Sequence, residues 1–250
     1  GAAYIFTKVG DTWTETKKLT ASDREMGDRF GASVAISGTT AIVGAPDEGV
    51  NNAGAAYIFT RDQSGNWTET KKLTRRQRDT NDYFGRSVAI SGNTAIVGAQ
   101  QDNSVFMSKG IACFFTMDGF GVWSEGAEER LGGARPSDDF GKSMAISGTT
   151  AIIGAHKRDI VQANYDDAGV AYIFTRDGSG NWNKTTNLTA SDWQDDDEFG
   201  VSVAISEDGN TAIVGARLED EGGNNAGAAY IFTKNGNTWS ETQKLTASDR

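Results

Sequence analysis

The chain has 250 residues, 37% of them hydrophobic, enough for one large all-β domain or two small ones. A formal charge of −10 and a pI near 4.7 argue against nucleic acid as a partner, because phosphate binding needs a basic stripe that releases counterions. No apolar run approaches the ~20 residues of a membrane helix, and the single cysteine, Cys113, excludes an internal disulfide framework or a Cys-based zinc site.

Residues 1–20 hold two strands. Gly1-Ala-Ala-Tyr-Ile-Phe-Thr7 is apolar, and Trp13 to Leu19 alternates, with Thr14, Thr16 and Lys18 making one parity wholly polar. Phe30-Gly31 then opens a longer unit, with Ser33-Val-Ala-Ile-Ser37 and Ala41-Ile-Val-Gly-Ala45 as short β-branched strands around a turn at Gly38. Apolar residues on both parities mean that both faces of these strands are covered. The unit closes with an aromatic strand at Tyr57-Ile58-Phe59 and a polar rim strand from Trp67 to Leu73. The same order returns from Phe84, Phe140 and Phe199, at periods of 54, 56 and 59 residues. Helix patterning is absent.

Four strands per repeat of roughly 50 residues, wetter outward, is the pattern of a propeller blade. One blade cannot bury both faces alone, so neighbours must stack. The expected fold is therefore an all-β β-propeller with four-stranded blades, four full blades (about 30–74, 84–131, 140–189 and 199–246) plus a half blade at 1–20. Recurrent glycines at Phe-Gly and Val-Gly-Ala allow close backbone approach near the axis.

Phe30-Gly31, Val43-Gly44-Ala45-Pro46 and Gly54-x-x-Tyr-x-Phe together resemble the FG-GAP repeat of integrin alpha propellers and of many secreted proteins of bacteria and protists. The resemblance covers essentially the whole chain and implies a propeller, seven-bladed in the integrin-like case. Gly1 to Arg24 and Gly227 to Arg250 are nearly the same sequence, so the two ends duplicate rather than complete each other. The expectation is an excerpt from a longer repeat array; the less conventional options are an open superhelix or subunits lending strands to one another.

The resemblance also implies Asp-x-Asp-x-Asp-Gly calcium loops between the first two strands. Here that place holds only Ser37-Gly-Thr-Thr40, Ser91-Gly-Asn-Thr94 and Ser147-Gly-Thr-Thr150, with Ser206-Glu-Asp-Gly-Asn210 the nearest approach. The candidate calcium ligands are instead Asp195, Asp196 and Asp197 before Phe199, because calcium takes six to eight oxygens from a flexible loop. A solvated acidic loop that caps turns is the reading set beside it; Asp28 and Asp138-Asp139 precede Phe30 and Phe140 in the same way. Arg75, Arg76 and Arg78, beside Asp79 and Asp82, read as a solvated loop.

No catalytic residue is assigned. His156 stands where other units have Pro46, Gln100 and Arg217, as at a variable loop position, and Cys113 replaces the recurrent Tyr as a buried filler. Asn66, Asn183 and Asn187 head N-x-Ser/Thr sequons on a hairpin tip and a polar strand parity, exposed as glycosylation requires. The loops between strands two and three differ in every unit and are the candidate binding surface. Phe106, Met107 and Phe120 mark the most divergent unit and a candidate contact patch. The expected function is a secreted, non-enzymatic adhesion or structural module at the cell surface, with protein or glycan partners or self-assembly into a filament. The rival is a carbohydrate-active enzyme or lectin sited on the loops.

Overall fold

The structure, a computed structural model, describes residues 1–99, 110–129, 138–160, 167–221 and 223–248. Among these the regular elements are strands, apart from one 3-10 turn at Val50–Asn52. A leading antiparallel pair, β1 (Ala3–Val9) and β2 (Thr12–Leu19), precedes four four-stranded sheets. The first sheet holds β3 (Ser33–Ser37), β4 (Thr40–Ala45), β5 (Ala55–Arg61) and β6 (Trp67–Leu73). The second holds β7 (Ser87–Ser91), β8 (Thr94–Ala99), β9 (Ile111–Met117) and β10 (Trp123–Glu129). The third holds β11 (Met144–Ser147), β12 (Thr150–Ala155), β13 (Val170–Arg176) and β14 (Trp182–Leu188). The fourth holds β15 (Phe199–Ile205), β16 (Thr211–Ala216), β17 (Ala228–Asn235) and β18 (Thr238–Leu245). Each is an antiparallel meander in chain order. No helix of the described residues is long and apolar enough to cross a membrane.

Sheets stack face to face, and each seam has two unlike sides. In Thr40-Ala-Ile-Val-Gly-Ala45 the period of two sends Ala41, Val43 and Ala45 backward, onto the leading pair, and Ile42 forward, onto the second sheet. The backward side is aromatic: Phe30 meets Tyr57 and Phe59 edge to face, at 5.5 and 6.0 Å, with Trp67 beside them. The forward side is aliphatic and flat, with Ala35, Ile42, Ile58 and Leu73. Phe84, Phe140 and Phe199 repeat the backward role in the next three seams. Large side chains thus fill the space that small ones leave, and burying each stabilises by about 1.5–3 kcal/mol.

The glycine of Val-Gly-Ala is fixed by this stacking. A Cβ on Gly44 would lie 1.9 Å from the Gly85 carbonyl oxygen, and one on Gly154 would lie 2.0 Å from that of Gly200. Beside each contact a serine hydroxyl ties the seam: Ser33, Ser87 and Ser143 Oγ donate to the carbonyls of Gly85, Gly141 and Gly200, at 2.8, 2.5 and 2.6 Å. The close backbone approach expected at these glycines is therefore an approach between sheets.

Three expectations need correction. Arg75 does not sit in a solvated loop: it is 2% exposed, because it enters the seam between the first and second sheets. The acidic residues two places before each Phe are not solvated either; Asp28, Asp82, Asp138 and Asp197 are all buried. Asp28, Asp82 and Asp197 accept the backbone N–H three residues back, from Glu25, Asp79 and Gln194, at 2.6, 2.9 and 2.7 Å, and so fold the link into each sheet. His156, read as a variable loop position, is buried between the third and fourth sheets.

Candidate functional site

In an antiparallel meander the connection from strand two to strand three leaves from one end of the sheet, and the two hairpins from the other. The link from strand four to the next sheet shares the end with the first of these. One end of the array therefore gathers the variable loops and the inter-sheet links, and nearly all of the buried charge lies there.

A four-residue node recurs on this face. After β2, the segment Leu19-Thr-Ala-Ser-Asp23 crosses onto the first sheet, burying Leu19 and Ala21. Asp23 accepts hydrogen bonds from Tyr57 Oη at 2.8 Å and Lys72 Nζ at 2.6 Å, and Lys72 also reaches Glu48 at 2.6 Å. Ser22 donates its N–H and Oγ–H to the Glu69 carboxylate, both at 2.8 Å. Burial and the hydrogen bond to Asp23 push the Tyr57 phenol far above its ordinary range. Burial pulls Lys72 down, but the hydrogen bonds it donates to Asp23 and Glu48 outweigh that and raise it. The fourth sheet repeats the node with Tyr230, Asp192, Lys244 and Glu219, and Ser191 on Glu241.

The second sheet carries the same node with its charges inverted. Cys113 stands for Tyr57 and Glu128 for Lys72, and the arriving link, with Gln77 at the place of Asp23, presents Arg75 from the place of Ala21. Arg75 Nε donates to Glu128 at 2.9 Å and Nη1 to Asp82 at 2.8 Å; Arg76 pairs with Glu125 at 3.4 Å. The links onto the first, second and fourth sheets thus carry a charge opposite in sign to the one they land on. The signal was present in the sequence as three coupled replacements inside one repeat, visible only when the repeats are aligned on each other.

His156 forms a third kind of node. Its Nε2 lies 3.5 Å from Asp139, 4.0 Å from Glu198 and 3.3 Å from Lys142 Nζ. Burial and the Lys142 charge push its pKa down to about 4, against the pull of the two carboxylates. Burial would raise Glu198, but the guanidinium of Arg217, bound to both its oxygens, holds it below the ordinary value.

The expected calcium ligands do not converge. Asp195 and Asp196 are exposed, while Asp197 is buried and holds the Gln194 N–H. Among the described residues, the acidic and thiol groups whose ligand atoms lie within 4.8 Å of one another are Cys113 with Glu125 and Glu128, and Asp192 with Glu219 and Glu221. Both trios already face side-chain cations: Arg75 and Arg76 in the first, Lys244 in the second. Asn66, Asn183 and Asn187 are all exposed. Phe120 is fully exposed in the β9–β10 hairpin, at the opposite end of the sheet from Ala99 and Ile111, where the variable connection attaches. Phe106 and Met107 lie outside the described residues, as do residues 100–109 and 161–166 of the variable loops.

A family model described as FG-GAP repeat matches residues 13–59, 67–112, 131–174 and 182–232. Each matched segment ends in a third strand, and those starting at Trp13, Trp67 and Trp182 begin on a fourth strand, so the sequence repeat straddles a seam instead of coinciding with a sheet. No curated protein matches the chain. A crystal structure of a protein from Lactobacillus plantarum is similar, with a TM-score of 0.60 and 12% identity over 97% of this chain. The chain spans 64% of that protein's length, and at such identity the likeness speaks for the fold alone.

Proposed function

This chain belongs to the FG-GAP repeat family, and from that premise we propose that it is a secreted, non-enzymatic recognition or structural module that binds proteins, glycans or copies of itself at a cell surface. One observation carries the reading: the titratable groups gathered at the loop end of the array are spent on joining sheets. Tyr57, Lys72 and Asp23, then Arg75, Asp82 and Glu128, then Tyr230, Lys244 and Asp192, each connect a sheet to the link that precedes it. The result is a rigid scaffold that holds unlike loops at one end, an arrangement that suits binding.

The loop Asp47 to Asn52 illustrates how such a surface is built. Its backbone carbonyls at Asn51 and Asn52 accept the N–H groups of Asn81 and Tyr83 from the next link, at 2.7 and 3.1 Å, while Val50 points out to solvent. The test is an array of extracellular proteins and glycans probed with the 250-residue chain, then with Val50→Asp and Asn225→Ala variants. Binding that these loop variants weaken supports the reading; turnover of any arrayed glycan would overturn it in favour of a carbohydrate-active enzyme.

A further inference from the structure

The links that enter the first, second and fourth sheets are of two kinds, and so are the sheets they enter. Leu19-Thr-Ala-Ser-Asp23 and Leu188-Thr-Ala-Ser-Asp192 land on Tyr57 with Lys72 and on Tyr230 with Lys244. Leu73-Thr-Arg-Arg-Gln77 lands on Cys113 with Glu128. The third sheet has Tyr172 and Asn187 at these places, and residues 130–137 of its link lie outside the described residues.

Size and charge change together between the two kinds. Ala21 and Ala190 are buried in the same clusters as the Tyr57 and Tyr230 rings, a short side chain on the link with a long one on the sheet. In the second sheet the long side chain is on the link: Arg75, with its side chain 1% exposed, comes from the alanine's place, and Cys113 takes the tyrosine's. The cation moves with it, from the sheet at Lys72 and Lys244 to the link at Arg75. One contact is common to both kinds. A carboxylate on the fourth strand, Glu69, Glu241 or Glu125, receives the fourth residue of the link, Ser22, Ser191 or Arg76.

The apolar seams cannot tell these repeats apart. Ser-Val-Ala-Ile-Ser occurs at 33–37 and at 87–91, and Thr-Ala-Ile-Val-Gly-Ala at 40–45, 94–99 and 211–216. The links can. On the second sheet, an Ala-Ser-Asp link would bring its aspartate towards Glu128 and leave the space of the Arg75 side chain unfilled. On the first, an Arg-Arg-Gln link would drive a guanidinium against the Tyr57 ring and the Lys72 charge. Each mismatch opposes like charges or strands a buried one, and such penalties separate a right partner from a wrong one.

We infer that the loop end of each of these sheets is a docking site selective for one kind of link, and that the two kinds exclude each other, so that size and charge at these places decide which repeat lies next to which. The partner that a Tyr–Lys sheet accepts is a Leu-Thr-Ala-Ser-Asp segment; the Cys–Glu sheet accepts a Leu-Thr-Arg-Arg-Gln segment. This goes beyond recognition through the variable loops and does not rest on it.

The test exchanges link and sheet, separately and together, in the full 250-residue chain. The link exchange is Arg75→Ala, Arg76→Ser and Gln77→Asp; the sheet exchange is Cys113→Tyr and Glu128→Lys. Each alone should lower the melting temperature by about 6–12 °C, as for a buried ion pair left with one partner. The two together should melt within about 3 °C of the unmodified chain, because the second sheet then carries the node of the first and fourth. Should both single exchanges fail to fold, a cooperative melt recovered in the double exchange supports the inference. A double exchange that loses the sum of the two single losses, or that fails to fold, would overturn it, as would either single exchange melting with the unmodified chain. None of these results touches binding on the protein and glycan array.

Discussion

Strands β8 and β16 have the same six residues, Thr-Ala-Ile-Val-Gly-Ala, the same central place in their sheets and the same register against the third strand. All six residues of β8 are buried, whereas in β16 burial alternates. The ladder to the third strand is equivalent in the two, and the largest difference is the sheet in front. In such an array stability is a sum of sheet terms and seam terms, and these two strands separate the terms without any change in the strand itself.

The largest effect should come from taking a charge out of an occupied seam. Arg75→Ala removes the buried cation held between Asp82 and Glu128 and should cost about 3–5 kcal/mol in urea denaturation. Arg76→Ala, one residue along but with its side chain 79% exposed, should change stability by less than about 0.5 kcal/mol. Next in size is a cavity in a seam compared with one at a free face. Ile152 packs forward onto the fourth sheet, and Ile152→Ala should cost about 3 kcal/mol. Ile213, its equivalent without a neighbour, should cost about 1 kcal/mol when changed to Ala, because solvent already reaches it. Equal losses at the two positions would remove the seam from the account.

Acidification probes the His156 seam. The folded pKa, about 4, lies below the ordinary 6.5, so between these values the unfolded chain takes up a proton that the folded chain refuses. Stability from this group is complete above pH 6.5 and is lost as pH falls toward 4, by up to about 3 kcal/mol. His156→Gln should flatten that part of the stability curve, read as the difference between the two proteins at each pH. Asp139, Glu198, Lys142 and Lys157 surround the ring and are present in both. The smallest effect is expected at the sequons: replacing Asn66, Asn183 and Asn187 with Gln should leave the melting temperature unchanged. In material made in a eukaryotic secretory pathway, it should also abolish any glycan mass.

The strands were legible because hydrophobic parity is a local property. Ser33 to Ser37 and Thr40 to Ala45 announce themselves, and the repeat of Phe-Gly gives the stacking. What sequence reading missed is the destination of the charges. Arg75 looked solvated because its neighbours Arg76, Arg78 and Asp79 are, while its partner Glu128 lies 53 residues away on the next sheet. Asp197 looked like one of a run with Asp195 and Asp196, but the chain turns there, with Asp196 at φ 62° and Glu198 at φ 53°, so neighbours in sequence point to different places. His156 looked variable because the seam it fills is the only one of its kind among the described residues. Charges of opposite sign at equivalent places, such as Lys72 and Glu128, hold the information, and they are read by comparing repeats and not by scanning along them.

Native-state hydrogen exchange on the single chain at low concentration tests the dependence on neighbours most directly, at the amides of Ile96 and Val97 in β8 and of Ile213 and Val214 in β16. Protection should be roughly a hundredfold or more higher in β8, equivalent to about 3 kcal/mol of seam. Equal protection in the two strands at low concentration would mean that each sheet is stable by itself, and would contradict the central claim.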